Sequence, residues 1–280
     1  MGKLGDCIAL SVYQGNDGYS DLTTLGIPEF MDTASNFIMH DQTCITYYMG
    51  DCQEVPPVQK KMIKDLGFKF RGKNNWPFFL SMKKRYYPYP INSDEAIILT
   101  KVMKQLLVTI KEYYQLIDDE HLLYTYFKDN LWHTTSIDVP NPEPKYNPIC
   151  ITDMNLLHDL SNRPQTDQKL IIDLVYLNQP IDEDNLKRPL NALIFIVLDL
   201  ESQMIISTHM FKAKDDEIDI TLGFIINFIL QNERPRQIFI RNPLVWSAYQ
   251  DICEQCDIEL SITDLDMVDY IVDDMTKMMR

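Results

Sequence analysis

Alternating apolar and polar positions predict two strands near the start of the chain. Residues 6–14 alternate and end at the turn-forming run Gly15-Asn16-Asp17-Gly18, and residues 43–49 are rich in β-branched and aromatic side chains. Residues 29–39, between them, predict a short helix. The opening of the chain therefore predicts a strand, a turn, a helix and a second strand.

Helical periodicity follows in two places. One helix is predicted from Pro57, which suits a first turn, to Gly67, a typical residue just beyond a helix end. A longer helix of about 25 residues is predicted from a cap at Asn92 or Ser93. Its expected core-facing stripe, at steps of three and four residues, comprises Ile98, Val102, Leu106, Ile110, Tyr113 and Ile117.

The run KFRGKNNWPFF, residues 69–79, mixes cations, amides and large aromatic residues without helical or strand periodicity. It predicts a structured loop. We expect a positive φ at Gly72, because a glycine there adds no side-chain chemistry and costs entropy. We expect Trp76 to be largely buried and the guanidinium of Arg71 to organise the loop through its five donors.

A boundary is predicted at residues 139–148, where four prolines in ten residues block regular pairing. The residues before it, 121–139, predict a helix or a strand. We therefore expect an α+β domain over 1–139, a Pro-rich linker with a short helix over 140–164, and an α/β domain over 165–280.

The second domain has a clearer pattern, in the order βββαβαβα. Its predicted strands are 169–177, 190–200, 204–211, 237–241 and 258–262, and its predicted helices are 216–230, 243–255 and 264–279. We expect the first three strands to form an antiparallel meander. The last two should be joined by helical crossovers and pair in parallel.

Charge is unevenly distributed. The net charge is −15, with −3 in residues 1–139 and −12 in residues 140–280, whereas residues 60–85 carry nine cations against Asp65. We expect a protein of the cytoplasm, because the start lacks a basic and apolar leader and no window is apolar enough to span a membrane. Abundant Ile, Tyr, Met and Lys with only nine glycines predict a bacterial source.

The cationic stretch with its interleaved aromatic rings is the predicted binding surface. Its candidate residues are Lys69, Arg71, Lys73, Asn74, Asn75, Trp76, Lys83, Lys84 and Arg85. Cations can hold phosphates while rings stack on bases, so nucleic acid is one ligand class for the stretch from Lys60 to Arg85. The alternative is architectural: rings beside prolines wedge loops into a core, and lysine stems cover them.

Several segments resemble an uncharacterised bacterial family of two-domain proteins of unknown function. They are GDCIALSVYQGNDGY, the FRGKNNWPFF stretch with its flanks, and PLNALIFIVLDLESQMIIS followed by RPRQIFIR. The resemblance implies no activity. It implies that residues 1–6 form a hairpin turn and that an amino-terminal helix and strand of the relatives are missing here.

The order βββαβαβα also resembles the ribonuclease-H-like fold, in which carboxylates from the first strand, the fourth strand and the last helix gather two metal ions. Asp173, Asp266 and Asp269 would be the catalytic set of such a nuclease. The fourth strand, however, ends in Arg241-Asn242, and two divalent cations need a compact set of carboxylates. Clustering of these three carboxylates would favour an enzyme, whereas spread carboxylates, or a salt bridge from Arg241 to one of them, would favour a scaffold.

Other chemistry has little support. Cys253 and Cys256 supply two ligands where structural zinc needs four, and the six cysteines are spread as expected for reduced thiols. The chain contains no standard nucleotide-binding loop or serine-hydrolase motif. We therefore predict no metal, no cofactor and no catalysis of its own, and a protein that acts through macromolecular contacts, with a protein partner foremost. The alternative is a divergent metal-dependent nuclease or nucleic-acid-processing enzyme.

Overall fold

The computed structural model of this chain describes residues 8–113, 121–140, 143–183 and 186–278. In chain order its elements are β1 (Ala9–Val12), α1 (Gly15–Thr24), α2 (Pro28–His40), β2 (Cys44–Gly50), α3 (Pro57–Asp65), β3 (Trp76–Lys83), β4 (Tyr86–Pro90), α4 (Ser93–Tyr113), β5 (His121–Lys128), β6 (Leu131–Asp138), α5 (Met154–Ser161), β7 (Lys169–Ile181), β8 (Leu190–Asp199), β9 (Ile205–Met210), α6 (Glu217–Asn232), β10 (Gln237–Ile240), α7 (Pro243–Gln255), β11 (Glu259–Ile262) and α8 (Asp266–Met278). The hairpin turn expected at residues 1–6 lies outside the described residues.

Two compact units interleave along the sequence. The first comprises Met1–Tyr19, Thr43–Ser81 and Tyr89–Glu143, and the second comprises Ser20–Gln42, Met82–Pro88 and Pro144–Arg280. Two short segments from the first half of the chain thus belong to the second unit.

In the first unit, β1 pairs antiparallel with β2, with Ala9 opposite Tyr48 and Val12 opposite Ile45. The predicted turn at residues 15–18 is wrong, because Gly15 begins helix α1 at a φ of +70°. Gly, Asn and Asp favour helix starts as well as turns, which explains the ambiguity. The predicted helix ending at Gly67 is confirmed, with a φ of +75° at this glycine.

Helix α4 begins with a reciprocal cap. The N–H of Glu95 donates to Asn92 Oδ1 at 3.0 Å, and the N–H of Asn92 donates to Glu95 Oε2 at 2.9 Å. Leu99 and Thr109 are its buried residues, whereas Ile110 is 39% exposed, so the buried face is rotated from the predicted stripe. The side chain of Tyr113 and the whole of Ile117 lie outside the described residues.

The region of uncertain type is a β-hairpin. Strands β5 and β6 pair from His121 opposite Asp138 to Lys128 opposite Leu131. Asp129 and Asn130 form the two-residue turn, with φ values of 52° and 61° that suit a right-twisted hairpin.

The strands of the second unit form a mixed sheet. Strands β7, β8 and β9 are a consecutive antiparallel meander, β10 pairs in parallel with β7, and β11 pairs in parallel with β10. Strand β4 adds to β8 through Tyr86 opposite Leu190. The predicted meander and the predicted parallel pairing are both confirmed.

Both faces of β7 and β8 are buried. One face packs against helices α2, α5, α6 and α7, where Leu170, Ile172 and Leu174 point. The other face packs against the segment at Leu265 and helix α8. Because side chains alternate along a strand, Asp173 lies on the α8 face. No helix in the described ranges is both long and apolar enough to cross a membrane.

Candidate functional site

The second unit contains an arginine–carboxylate site made of Asp173, Arg241 and Asp269. Asp173 lies in the middle of β7 and is 1% exposed, and its Oδ1 accepts the N–H of Leu174 at 2.8 Å. Arg241 directly follows β10, in which Phe239 is opposite Ile171 of the neighbouring parallel strand. The shared register therefore carries Arg241 to the level of Asp173.

Arg241 joins the two carboxylates. Its Nε donates to Asp173 Oδ2 at 2.7 Å, while Nη1 and Nη2 donate to the two oxygens of Asp269 at 3.0 and 2.6 Å. Asp269 lies in the first turn of α8. The planar guanidinium thus binds Asp269 through its two terminal nitrogens and Asp173 through Nε. The single ammonium group of a lysine could not make these three bonds in one plane.

Asn242 fixes the backbone on which this arginine is held. Its Oδ1 accepts the N–H of Leu244 at 2.8 Å and caps helix α7, and its Nδ2 donates to the carbonyl of Leu174 at 2.7 Å. The residue is fully buried. Its side chain therefore ties the end of β10 to β7, and its complete burial keeps it from solvent.

The protonation of the site follows from burial and charge. Burial raises the pKa of Asp173 to about 6, against the lowering effects of Arg241 and the Leu174 N–H. Burial alone would lower the pKa of Arg241, but its bonds to Asp269 and Asp173 outweigh burial and raise it. With a pKa of about 6, the carboxylate of Asp173 is mostly ionised at neutral pH, where Arg241 pairs with it.

This site borders a cleft of about 310 Å³ within the second unit, between α2 and α8. The cleft brings together all three predicted nuclease carboxylates, Asp173, Asp266 and Asp269, with Asp32, Asp264 and Asp273 also on its wall. Arg241 is the one positively charged residue among those that line this cleft. Among the described residues, no group of three or more His, Cys, Asp or Glu side chains is arranged to hold a metal ion.

The first unit contains the second candidate site, which we call the basic–aromatic cleft. It has a volume of about 420 Å³ and lies between the end of α3, the following loop and the start of β3. Its lining comprises Cys52, Lys60, Ile63, Lys64, Gly67, Phe68, Lys69, Phe70, Arg71 and Trp76. Among the predicted binding residues, it brings together Lys69, Arg71 and Trp76.

The loop of this cleft is held by groups other than the predicted Arg71. The side chain of Arg71 is exposed, and its carbonyl accepts Asn75 Nδ2 at 3.2 Å. Asp51 Oδ1 accepts the N–H of Asn74 at 2.8 Å. The positive φ expected at Gly72 is confirmed at +92°. The expected role of Arg71 is thus wrong, because amide and backbone groups already close the loop.

Trp76 also differs from its prediction. It is half-buried and begins strand β3, so the stretch after residue 75 is a strand and not a loop. The side-chain amide of Gln59 donates to the carbonyl of Phe79 at 2.6 Å and accepts its N–H at 2.9 Å, which pins α3 to β3. Neither Gln59 nor Asp51 carries a local signal, because each acts on residues at least twenty positions away.

The predicted cationic surface is divided between the two units. Lys83, Lys84 and Arg85 belong to the second unit. Lys84 pairs with the buried Asp21 at 3.3 Å. Arg85 pairs with Glu217 at 2.6 Å, donates to two backbone carbonyls and lies over a phenylalanine ring. These two cations therefore have structural partners, whereas Lys69, Arg71, Lys73, Asn74 and Asn75 are exposed in the first unit.

Cys253 and Cys256 are buried at the end of α7, and burial raises the pKa of both thiols. The imidazole of His209 lies 2.9 Å from Asp215. The five described cysteines are free thiols.

Two family models match the chain, and both describe domains of unknown function. DUF7309 matches residues 1–131, and DUF6930 matches residues 156–276. These matches support a two-domain protein and carry no activity. No curated protein matches the chain.

One similar solved structure is described as "CryoEM structure of simian T-cell lymphotropic virus intasome in complex with PP2A regulatory subunit B56 gamma". The matched chain is 15% identical, with 42% of this chain and 45% of that chain covered and a TM-score of 0.28. The similarity spans less than half of either chain and supports no argument about function.

Proposed function

We propose that the protein is a non-catalytic interaction module of the bacterial cytoplasm, and that its second unit is a ribonuclease-H-like domain in which an arginine stands in place of metal ions. The observation that carries this proposal is the guanidinium of Arg241, bonded to both Asp173 and Asp269. The free thiols of the five described cysteines support a reducing compartment.

The strand arrangement supports the fold assignment. The meander β9-β8-β7 followed by parallel β10 and β11 places the first strand of the domain in the middle of its sheet. Asp173 on this strand, the residues after β10 and the first turn of α8 converge on one cleft. These are the three positions at which the resemblance to ribonuclease-H-like enzymes expects carboxylates.

The residues present do not fit two divalent cations. The fourth-strand position is occupied by Arg241 and Asn242, of which one is a cation and the other is a neutral amide that caps α7, binds β7 and is fully buried. A metal ion at Asp173 would have to displace a charge-assisted hydrogen bond of 2.7 Å from a buried group. The acidic wall would in addition repel a phosphate backbone.

Cleavage assays test this proposal. The wild-type chain is incubated with single-stranded and duplex DNA and RNA and with a hybrid duplex, in Mg²⁺ or in Mn²⁺. We expect no cleavage above a buffer control. Metal-dependent cleavage that is lost in Asp173→Asn and in Asp269→Asn, but kept in the surface variant Arg236→Ala, would overturn the proposal and establish the nuclease.

A further inference from the structure

We propose that the basic–aromatic cleft of the first unit binds single-stranded nucleic acid, with bases stacked on its rings and phosphates held by its cations. This inference rests on the proposed function, since it names a ligand for a protein that acts through macromolecular contacts. It concerns the first unit alone.

The cleft has one exposed ring, Phe68, beside the half-buried rings of Phe70 and Trp76. Phe68 and Phe70 are stacked with centroids 6.2 Å apart, and Phe70 and Trp76 are tilted with centroids 6.0 Å apart. Phe68 is 60% exposed, although a ring of this size normally stabilises a core. Aromatic rings that are accessible in a cationic groove are the surface on which bases stack without regard to sequence, and Phe68 is the ring here that a base can reach most readily.

The cations of the cleft have no acidic partner. Lys60, Lys64, Lys69 and Arg71 line it, and no carboxylate of the described residues lies within ion-pair distance of them. The segment from residue 60 to residue 73 carries six cations against Asp65. Asp51, which accepts the N–H of Asn74, and Glu54, which accepts the N–H of Asp51, also lie at this loop, so the six cations face three carboxylates. At physiological salt charges act over about 8 Å, so carboxylates beyond that range have little effect on a phosphate in the cleft.

The cleft is also formed before any ligand arrives. Gln59 joins α3 to β3 through two hydrogen bonds, and Asp51 and Asn75 hold the loop. None of these contacts uses a lysine or arginine side chain, so the cations need break no bond to accept phosphate. Because the backbone is already ordered and the cations have no bonds to break, the free-energy cost of preparing the cleft for a ligand is small.

The lining selects among anionic ligands. Ile63 is its aliphatic residue, and the other large apolar groups are aromatic rings. An acidic peptide would satisfy the cations, but it would leave flat ring faces that nucleobases cover better. Duplex DNA keeps its bases stacked internally and can offer only phosphates. The volume of about 420 Å³ suits one or two nucleotides rather than a folded element.

Fluorescence anisotropy in EDTA tests the inference, so that binding is measured without metal-dependent cleavage. The probe is a labelled mixed-sequence DNA or RNA strand of about 12 nucleotides. We expect Phe68→Ala to weaken binding about 5- to 150-fold, the ratio that corresponds to one stacked base. Lys69→Glu and Arg71→Glu should weaken binding and flatten its salt dependence.

Matched controls lie elsewhere on the surface. Tyr270→Ala removes a 78% exposed ring, and Lys104→Glu reverses an exposed charge on α4. Both should bind as the wild type does, and all five variants should keep its melting temperature. Affinity for the strand unchanged in Phe68→Ala, equal affinity for a duplex, or tighter binding of a peptide of aspartate, glutamate and tryptophan would overturn the inference. Any of these results without cleavage leaves the non-catalytic proposal standing.

Discussion

At the scale of the residue, Arg241 binds two carboxylates of the second unit, those of Asp173 and Asp269. Asp173 is 1% exposed, and the side chain of Arg241 is 11% exposed. A buried carboxylate without its partner is costly, whereas the same pair replaced by apolar groups of similar volume is often tolerated. The pair is therefore interdependent, and removing one member should cost more than removing both.

We expect Arg241→Met to lower the free energy of unfolding by about 3–5 kcal/mol, because it leaves Asp173 buried and unpaired. The double variant Asp173→Leu with Arg241→Met should recover part of this loss. Chemical denaturation measures the free energy of unfolding of the single and the double variant. Arg236→Met is the control, since Arg236 pairs with Asp167 at 3.3 Å on an exposed surface and should cost less than about 1 kcal/mol. Equal losses for Arg241→Met and Arg236→Met would contradict the burial argument.

The raised pKa of Asp173 predicts a pH dependence with a definite sign. The folded protein holds this proton up to a pKa of about 6, whereas the unfolded chain releases it near the ordinary value. Protonation of Asp173 therefore stabilises the folded state fully below the unfolded pKa, and this contribution is lost as pH rises through 6. The free energy of unfolding of the wild type, measured relative to Asp173→Asn, should rise as pH falls from 7 to 4.

Asp167→Asn, which removes one carboxylate from an exposed surface, is measured beside Asp173→Asn as the control for the loss of one acidic side chain. A difference between wild type and Asp173→Asn that instead shrinks as pH falls would mean that the attraction of Arg241 outweighs burial. That result would place the pKa of Asp173 below its ordinary value.

At the scale of the element, Asn242 links a strand end to a helix start. It caps α7 and also binds the carbonyl of Leu174. Asn242→Ala should lower the free energy of unfolding by about 2–4 kcal/mol, which combines a lost cap with an unsatisfied buried carbonyl. Asp153→Ala is the matched control, because Asp153 caps α5 at an exposed position and should cost about 1 kcal/mol. Equal losses in the two variants would show that the bond to Leu174 adds nothing.

The elements of the second unit could be predicted because their signals are local. Strands β7 and β8 are long apolar runs, and α7 begins with a proline behind a capping residue. Errors arose where one sequence suits two structures: Gly15 starts a helix instead of a turn, and Trp76 starts a strand. In α4 the buried face is rotated from the predicted one. A pattern of apolar residues at helical spacing therefore predicts that a helix forms better than it predicts which side of the helix is buried.

The sites were predictable only in part. Asp173, Asp269 and Arg241 were expected in one arrangement because of the resemblance of the strand order to the ribonuclease-H-like fold, in which these positions meet. The sequence could not indicate Gln59 or Asp51, whose hydrogen bonds depend on long-range packing. It also gave no sign that Lys84 and Arg85 are used within the second unit.

At the scale of the whole molecule, the second unit depends on residues 20–42. Phe37 of α2 stacks on Tyr176 of β7, with centroids 5.5 Å apart, and Ile38 is fully buried in the same core. Phe37→Ala in the full chain should therefore cost about 3–5 kcal/mol. Met39→Ala, on the same helix but 52% exposed, should change the free energy of unfolding by less than about 0.5 kcal/mol. Unchanged amide-exchange protection of β7 in Phe37→Ala would contradict this packing.

The same dependence predicts how the chain can be divided. A fragment of residues 144–280 lacks α2 and β4, so it exposes one face of the core and leaves Lys145 without Asp21 and Asp41, each 2.9 Å away. A buried lysine without a partner disfavours the folded state. We expect the fragment to bind a hydrophobic dye and to lack a cooperative thermal transition, and we expect addition of residues 1–143 in trans to restore the transition. A fragment that melts cooperatively within a few degrees of the full chain would show that the later part folds on its own and that α2 only covers it.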